Sequence, residues 1–201
     1  MSSSANTFES LRFPAYRLWF AGALVANVGT WMQRIAQDWL VLTVLSHDSG
    51  VAVGIVTALQ FLPALLLGPY AGVLADRLPR RAMLVVTQTL MGILALGLGV
   101  LTLSGNAQIW QVWAFALGLG VVSALDNPVR QTFVAELVPE GTLPNAVALN
   151  SASFNAARLI GPGAAGLAIA AMGAGWVFIL NAASFAFTIA ALALMRRRDM
   201  F

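Results

Sequence analysis

The sequence predicts an all-α membrane protein built from six transmembrane helices, and three observations carry this prediction. Hydrophobic residues make up 59% of the 201 residues and charged residues only 9%, whereas soluble domains are about half apolar and about one quarter charged. The apolar residues form six long runs, each near the roughly 20 residues that cross a bilayer as a helix. These runs are too long and too continuously apolar for barrel strands, the other structure whose backbone is satisfied in lipid.

Polar turns bound each predicted helix. Examples are the turns at 47–50, 104–106 and 172–175, which are rich in Gly, Ser, Asn and Asp. We expect a cytoplasmic segment at 1–17, a six-helix domain at 18–195 and the start of a cytoplasmic loop or tail at 196–201. The expected helices are 18–45, 51–75, 82–104, 109–124, 143–172 and 176–195.

The arginines predict the orientation of the chain. The sequence has eleven basic residues and no Lys. Nine of the arginines lie at the N-terminus, in the loop after helix 2, after helix 4 or after helix 6, and the loops after helices 1, 3 and 5 contain none. Cytoplasmic loops are the basic ones. We therefore expect a multi-pass protein with both termini in the cytoplasm.

Composition argues against other classes of protein. The basic residues sit at the ends of apolar runs rather than on one exposed face, so we expect no nucleic-acid partner. The chain has no Cys and a single His, His47, in a predicted turn. A six-helix intramembrane protease would need Ser and His within the membrane, and a metal site would need more ligands than one His and scattered carboxylates. We expect a protein that is not an enzyme and holds no metal or cofactor.

A short motif occurs twice. Residues 67–72 read LGPYAG and residues 160–166 read IGPGAAG. Each copy lies in the second helix of a group of three, and the two helices run in opposite directions. This arrangement predicts a 3+3 inverted repeat, which is typical of secondary transporters. The alternative is chance similarity, because small residues are common where membrane helices touch.

Several motifs together resemble one family. Residues 72–81, GVLADRLPRR, resemble the major facilitator superfamily signature G-x-L-a-D-r-x-G-r-r between helices 2 and 3, although Pro79 stands where Gly is usual. Residues 157–166 are similar to the helix 5 motif of its antiporter branch, G-x-x-x-G-P-x-x-G-G, with Ala at two Gly positions. Residues 126–133 and 145–150 resemble the transmembrane secretion effector group, which includes the enterobactin exporter. The chain resembles the N-terminal half of such a twelve-helix fold.

The resemblance implies roles for two sets of residues. A charge network in the family matches Asp76, Arg80 and Asp126 here, and such a network suits a latch that holds one conformation; the alternative is that the arginines only set orientation. The helix 5 bend is associated with export and with preventing leak, and its alternative is an ordinary kink. The candidate latch comprises Gly72, Asp76, Arg77, Arg80, Arg81, Asp126 and Arg130, and the helix 5 exporter motif comprises Gly161, Pro162 and Gly166.

Charged residues within the membrane predict a transport site. Arg34 and Asp38 lie one turn apart on helix 1 and share a face, and ionisable groups at this depth normally face a cavity. In one hypothesis Asp38 exchanges a proton while Arg34 or Arg158 holds its charge or binds an anionic substrate group. In the other, a fixed ion pair joins helix 1 to helix 5. The candidate site comprises Asn27, Trp31, Arg34, Asp38, Asn155 and Arg158.

The expected function is that of a proton-coupled exporter for a small amphipathic molecule such as a drug or a siderophore, in a bacterial inner membrane. Its expected partners are that substrate, the proton, the lipid bilayer and a second six-helix half, either a C-terminal part or a second copy. The alternative is a half-transporter that does not transport, acting as a fragment or an assembly partner, because this fold transports by rocking two halves about a central site.

Overall fold

The structure is a computed structural model that describes residues 7–195 and Phe201, without the side chain of Asp76. Residues 1–6 of the predicted N-terminal segment and residues 196–200 of the predicted loop or tail, including the arginines at 196–198, lie outside the described residues. The described part is almost entirely helical, which confirms the all-α part of the prediction. Its α-helices are α1 (Pro14–Trp39), α2 (Gly50–Arg77), α3 (Arg80–Leu103), α4 (Ile109–Phe133), α5 (Leu143–Met172) and α6 (Ala174–Leu194).

Short helical turns extend this frame. A 3-10 turn at Glu9–Arg12 precedes α1, and a wider π-type turn at Leu40–Leu45 prolongs it. Two 3-10 turns, Val134–Glu136 and Glu140–Thr142, connect α4 to α5. Gly173 separates α5 from α6 with a φ of 87°, a conformation that glycine adopts without steric cost.

Two predicted boundaries were wrong. Helix α4 continues to Phe133 instead of ending at 124, so Asp126 and Arg130 lie within it. The polar side chains near its end are buried inside the protein, and a search for apolar residues therefore ends the helix too early. Arg77 lies in the last turn of α2 and Arg80 begins α3, so the predicted loop shrinks to Leu78 and Pro79.

Four helices are long and apolar enough to cross a membrane: Gly50–Ala75, Arg80–Leu103, Ile109–Glu136 and Ala174–Leu194. Helices α1 and α5 fall below that level, because polar residues interrupt them. In α1, for example, Gln33, Arg34, Gln37 and Asp38 lie within two turns. The described residues thus give four candidate membrane spans rather than the predicted six.

The helices pack in a continuous series. Helix α2 lies against α4, α4 against α3, α3 against α6, α6 against α1, and α1 against α5. Helices α3 and α6 are therefore central, and α2 and α5 lie at the two ends. Close approach depends on glycine where α4 crosses α2, since a Cβ on Gly120 would lie 2.5 Å from the carbonyl oxygen of Leu59.

Buried hydrogen bonds join the helices. The Asn181 amide donates to Gln33 Oε1 at 2.6 Å, and the Thr188 hydroxyl donates to the Gly22 carbonyl at 2.9 Å, so both bonds fasten α6 to α1. Gln60 of α2 donates to Gln37 of α1 at 3.2 Å. Such bonds contribute about 0.6 kcal/mol each on average within membrane bundles, and they fix the register of neighbouring helices.

Candidate functional site

A polar groove runs between α1, α2, α4 and α5. It consists of two adjoining cavities of about 380 and 490 Å³, a size within the range of small-molecule sites. Asn27, Asn127, Arg130 and Phe154 line both cavities. The first cavity is also lined by Thr30, Trp31, Arg34, Gln60, Phe61, Ala64, Met91, Ser123, Asp126 and Arg158, and the second by Gln131, Val134, Val147, Asn150, Ser151 and Asn155.

Two guanidinium groups gather around one indole ring in the first cavity. The Arg34 guanidinium lies 5.1 Å from the centre of the Trp31 ring, and that of Arg158 lies 5.6 Å from it. Arg34 also lies 4.4 Å from the Phe61 ring. Aromatic faces attract cations at these distances. The rings therefore hold both guanidinium groups while leaving their N–H donors available.

The predicted ion pairs of this region do not form between the described side chains. Arg34, Asp38 and Arg158 make no salt bridge with one another, and Arg34 Nε is buried without a hydrogen-bond partner. Asp38 Oδ1 is also buried without a partner, and Asp38 lines neither cavity. Asn155 lines the second cavity, and its amide donates to the Ser151 carbonyl at 2.9 Å.

Asp126 is the centre of a buried network beside the groove. Its side chain accepts hydrogen bonds from Thr87 at 2.5 Å, Gln88 at 2.9 Å and Arg130 at 3.0 Å. Asp126 is 1% exposed and Arg130 is 8% exposed, and the Arg130 guanidinium also lies 5.3 Å from the Trp19 ring centre. The network ties α3 to α4 and neutralises Arg130.

Two separate ion pairs contain three of the predicted latch residues. Arg80 pairs with Glu136 at 2.6 Å, whereas Asp126 pairs with Arg130. Arg81 donates to the Leu192 carbonyl at 2.5 Å and so joins α3 to the end of α6.

The other two described latch residues contact less. Arg77 is exposed in the last turn of α2, and Gly72 has open space beside it. The side chain of Asp76 lies outside the described part, so the contacts predicted for Asp76 stay a prediction.

Gly161 explains one position of the helix 5 motif. A Cβ on Gly161 would lie 2.5 Å from the Cβ of Trp31, so only glycine allows α5 to approach Trp31 this closely. Pro162 and Gly166 are exposed, and nothing in the described part lies within 4 Å of where a Gly166 Cβ would be. Helix α5 continues through Pro162 to Met172.

Sequence reasoning missed several residues. Glu136, the partner of Arg80, was not singled out, although an acidic residue beside the arginine-rich loops was a usable signal. Phe61 and Phe154 line the groove, but aromatic residues inside apolar runs look like any lipid-facing or packing residue. Asn127 and Gln131 line it as well. They follow the point at which helix 4 was predicted to end.

Known proteins similar to the chain are transporters. The transmembrane secretion effector family matches residues 5–200. The chain is 30% identical to the staphyloferrin A transporter of Staphylococcus aureus over 83% of its own length and 42% of the relative's. It is 29% identical to the multidrug efflux pump Tap of Mycolicibacterium fortuitum over 92% of its length and 46% of the relative's.

These matches cover most of this chain but only part of each relative. The chain spans less than half the length of these curated relatives. It is also 28% identical to the MFS-type transporter YfiS of Bacillus subtilis, over 42% of that protein. The family match, by contrast, covers nearly the whole chain. Together with the apolar helices, it identifies an integral membrane protein. The chain belongs to the transmembrane secretion effector family of the major facilitator superfamily.

Proposed function

We propose that the chain is the N-terminal half of a secondary active transporter, and that it exports a small amphipathic molecule in exchange for protons. The observation that carries this proposal is the groove between α1, α2, α4 and α5, where arginine and amide side chains lie beside aromatic rings. A groove that combines charged and amide side chains with aromatic rings suits an amphipathic ligand. The groove lies among helices that otherwise expose apolar residues.

The packing order supports an inverted 3+3 repeat. The two halves of the chain are compared by exchanging α1 with α4, α2 with α5 and α3 with α6. This exchange turns the contact of α2 with α4 into the contact of α5 with α1. The same exchange turns the contact of α3 with α4 into that of α6 with α1, and leaves the contact of α3 with α6 unchanged. Corresponding helices are three apart in an alternating bundle, so they run in opposite directions. Secondary transporters place their substrate site at such repeats.

A second six-helix half fits the open side of the groove. Helices α2 and α5 lie at the ends of the packing series and expose large apolar side chains, including Leu65 at 77% and Leu159 at 83%. Transport in this fold needs two halves around one site. A C-terminal part or a second copy of the chain would cover the groove, and the relatives' greater length agrees with the first choice.

Asp38 is the proposed proton carrier. Its Oδ1 atom is buried without a partner among the described residues, and an ionisable side chain within a membrane helix normally serves transport or pairs with an opposite charge. Because no such pair forms with Arg34 or Arg158, the carboxylate is available to bind and release a proton.

Orientation and state control complete the proposal. By the positive-inside rule the arginine-rich ends face the cytoplasm, so we propose that both termini lie there. We propose the bacterial inner membrane as the location because the relatives are bacterial. The pairs Arg80–Glu136 and Asp126–Arg130 lie at the arginine-rich end. We propose that they hold one conformation and break in the other, as a latch on a bistable bundle does.

The test is transport by the purified chain in liposomes that are acidic inside, at a protein density where cross-linking detects dimers, so that a second copy supplies the other half. Staphyloferrin A and ethidium serve as probes, one for each class of ligand in the relatives' names. We expect gradient-driven accumulation of at least one probe, coupled to loss of the pH gradient. Asp38→Asn should abolish the probe-driven proton flux, whereas the control Asp48→Asn, in an exposed turn, should not. Unchanged flux in Asp38→Asn would exclude Asp38 as the carrier.

The same experiment decides the alternative function. A half-transporter that does not transport is favoured by one observation, the coverage of less than half of each relative. If the chain binds a probe but moves none, even in vesicles where cross-linking detects dimers, it is an assembly partner or a fragment. Accumulation of probe against its gradient would exclude that alternative.

A further inference from the structure

We propose that the groove selects anionic amphiphiles with an aromatic part over cationic ones, through Arg34 and Arg158, whose guanidinium groups both lie close to the Trp31 ring. This inference rests on the proposed function, since it names the ligand class of the same groove. The observation behind it is a pair of guanidinium groups on one indole ring, neither of which forms a salt bridge with a described carboxylate.

The charges lining the first cavity do not cancel. Its lining contains the arginines at 34, 130 and 158 and one acidic residue, Asp126. Asp126 is fully used, because it accepts bonds from Arg130, Thr87 and Gln88. The arginines at 34 and 158 have no acidic partner in the cavity lining, since Asp38, one turn from Arg34, lines neither cavity. The remaining polar lining residues are amides and hydroxyls, which carry no charge.

Arg34 has an unmet donor. Its Nε atom is buried and has no hydrogen-bond partner in the described part of the chain, and a buried donor without a partner is costly. A guanidinium matches a carboxylate with two parallel hydrogen bonds. An anionic ligand group in the cavity would accept from the remaining N–H groups of Arg34, since Nε itself is buried, whereas a cationic group would be repelled.

The aromatic rings complete the selection. Trp31 lies 6.2 Å from Phe154, centre to centre, and Phe61 lies under the Arg34 guanidinium. The three rings come from α1, α5 and α2, and all three line the first cavity together with the arginines at 34 and 158. A ligand with an aromatic body and an acidic group would contact both features at once.

Fluorescein and rhodamine 123 test the inference directly, since they share a xanthene body and carry opposite charges at pH 8. Their binding to the full chain in an uncharged detergent is measured by fluorescence anisotropy. We expect fluorescein to bind at least tenfold more tightly than rhodamine 123, and high salt to reduce this preference because it screens charge. A charge-assisted hydrogen bond accounts for about tenfold or more in affinity, so Arg34→Gln and Arg158→Gln should each weaken fluorescein binding by that factor.

A matched control removes a charge elsewhere. Arg17→Gln alters an exposed arginine of α1 that lines neither cavity, and it should change neither dye. Equal or tighter binding of rhodamine 123 would overturn the anion preference while leaving the groove as an amphiphile site. Unchanged fluorescein binding in both groove variants would overturn the assignment to these arginines. Binding of neither dye would contradict the proposed function itself.

Discussion

Replacing Gly161 with Ala tests whether α5 positions the groove through its contact with Trp31. The added Cβ would lie 2.5 Å from the Trp31 Cβ, whereas ordinary contact begins at 3.4 Å, so the two groups must separate by about 0.9 Å. Overpacking of this kind costs about 1–3 kcal/mol. Alanine also favours the helix over glycine by roughly 0.5–1 kcal/mol, which offsets part of that cost.

Gly166→Ala is the matched control in the same helix. It gains the same helix propensity, but its Cβ would meet open space. The difference between the two variants therefore isolates the overpacking cost of about 1–3 kcal/mol. For a chain of this size we expect Gly161→Ala to unfold roughly 2–12 °C below Gly166→Ala, as measured by thermal unfolding in detergent.

The same pair of variants separates stability from site geometry. Trp31 carries the guanidinium groups of Arg34 and Arg158, so its displacement should weaken fluorescein binding in Gly161→Ala and not in Gly166→Ala. Equal unfolding temperatures and equal affinities in the two variants would contradict this prediction, because they would mean that α5 does not press on Trp31.

Two further predictions concern the network and the orientation. Asp126→Asn leaves the buried Arg130 without its anion and should cost about 3–5 kcal/mol of stability. Glu136→Gln breaks a partly exposed pair and should cost about 1 kcal/mol or less. Equal losses of stability in thermal unfolding of the two variants would contradict this ranking. The chain has no native Cys, so single cysteines report sidedness. In intact cells an impermeant maleimide should label Asn106→Cys and spare Gly141→Cys, and the opposite pattern would reverse the proposed orientation.

Helix positions were largely predictable because membrane helices are read from long apolar runs. The prediction failed where helix α4 turns polar. Asp126 and Arg130 satisfy each other inside the protein, so helical structure persists without apolar character. The same reasoning explains α1 and α5. Their polar residues lower their hydropathy, and several of them, such as Arg34 and Asn155, line the groove.

The candidate site was predicted in part. Helical spacing placed Trp31 and Arg34 on one face of α1, and both line the first cavity with Arg158. Spacing along one helix gives no distances between helices, and this is why the predicted pair of Asp38 with Arg158 differs from the observed contacts. The Arg80–Glu136 pair depends on a 3-10 turn after α4, and no local sequence pattern indicates where that turn brings its carboxylate.

Protection of a single cysteine in the groove by bound ligand tests whether the groove is the substrate site. Asn155 is exposed and lines the second cavity, whereas Gly141 is exposed and lines neither. If the groove is the substrate site, saturating fluorescein should slow maleimide labelling of Asn155→Cys by about tenfold and leave Gly141→Cys unchanged, since a site buries most of its ligand's surface. Equal labelling rates at Asn155→Cys with and without the bound dye would contradict the assignment of the groove as the substrate site.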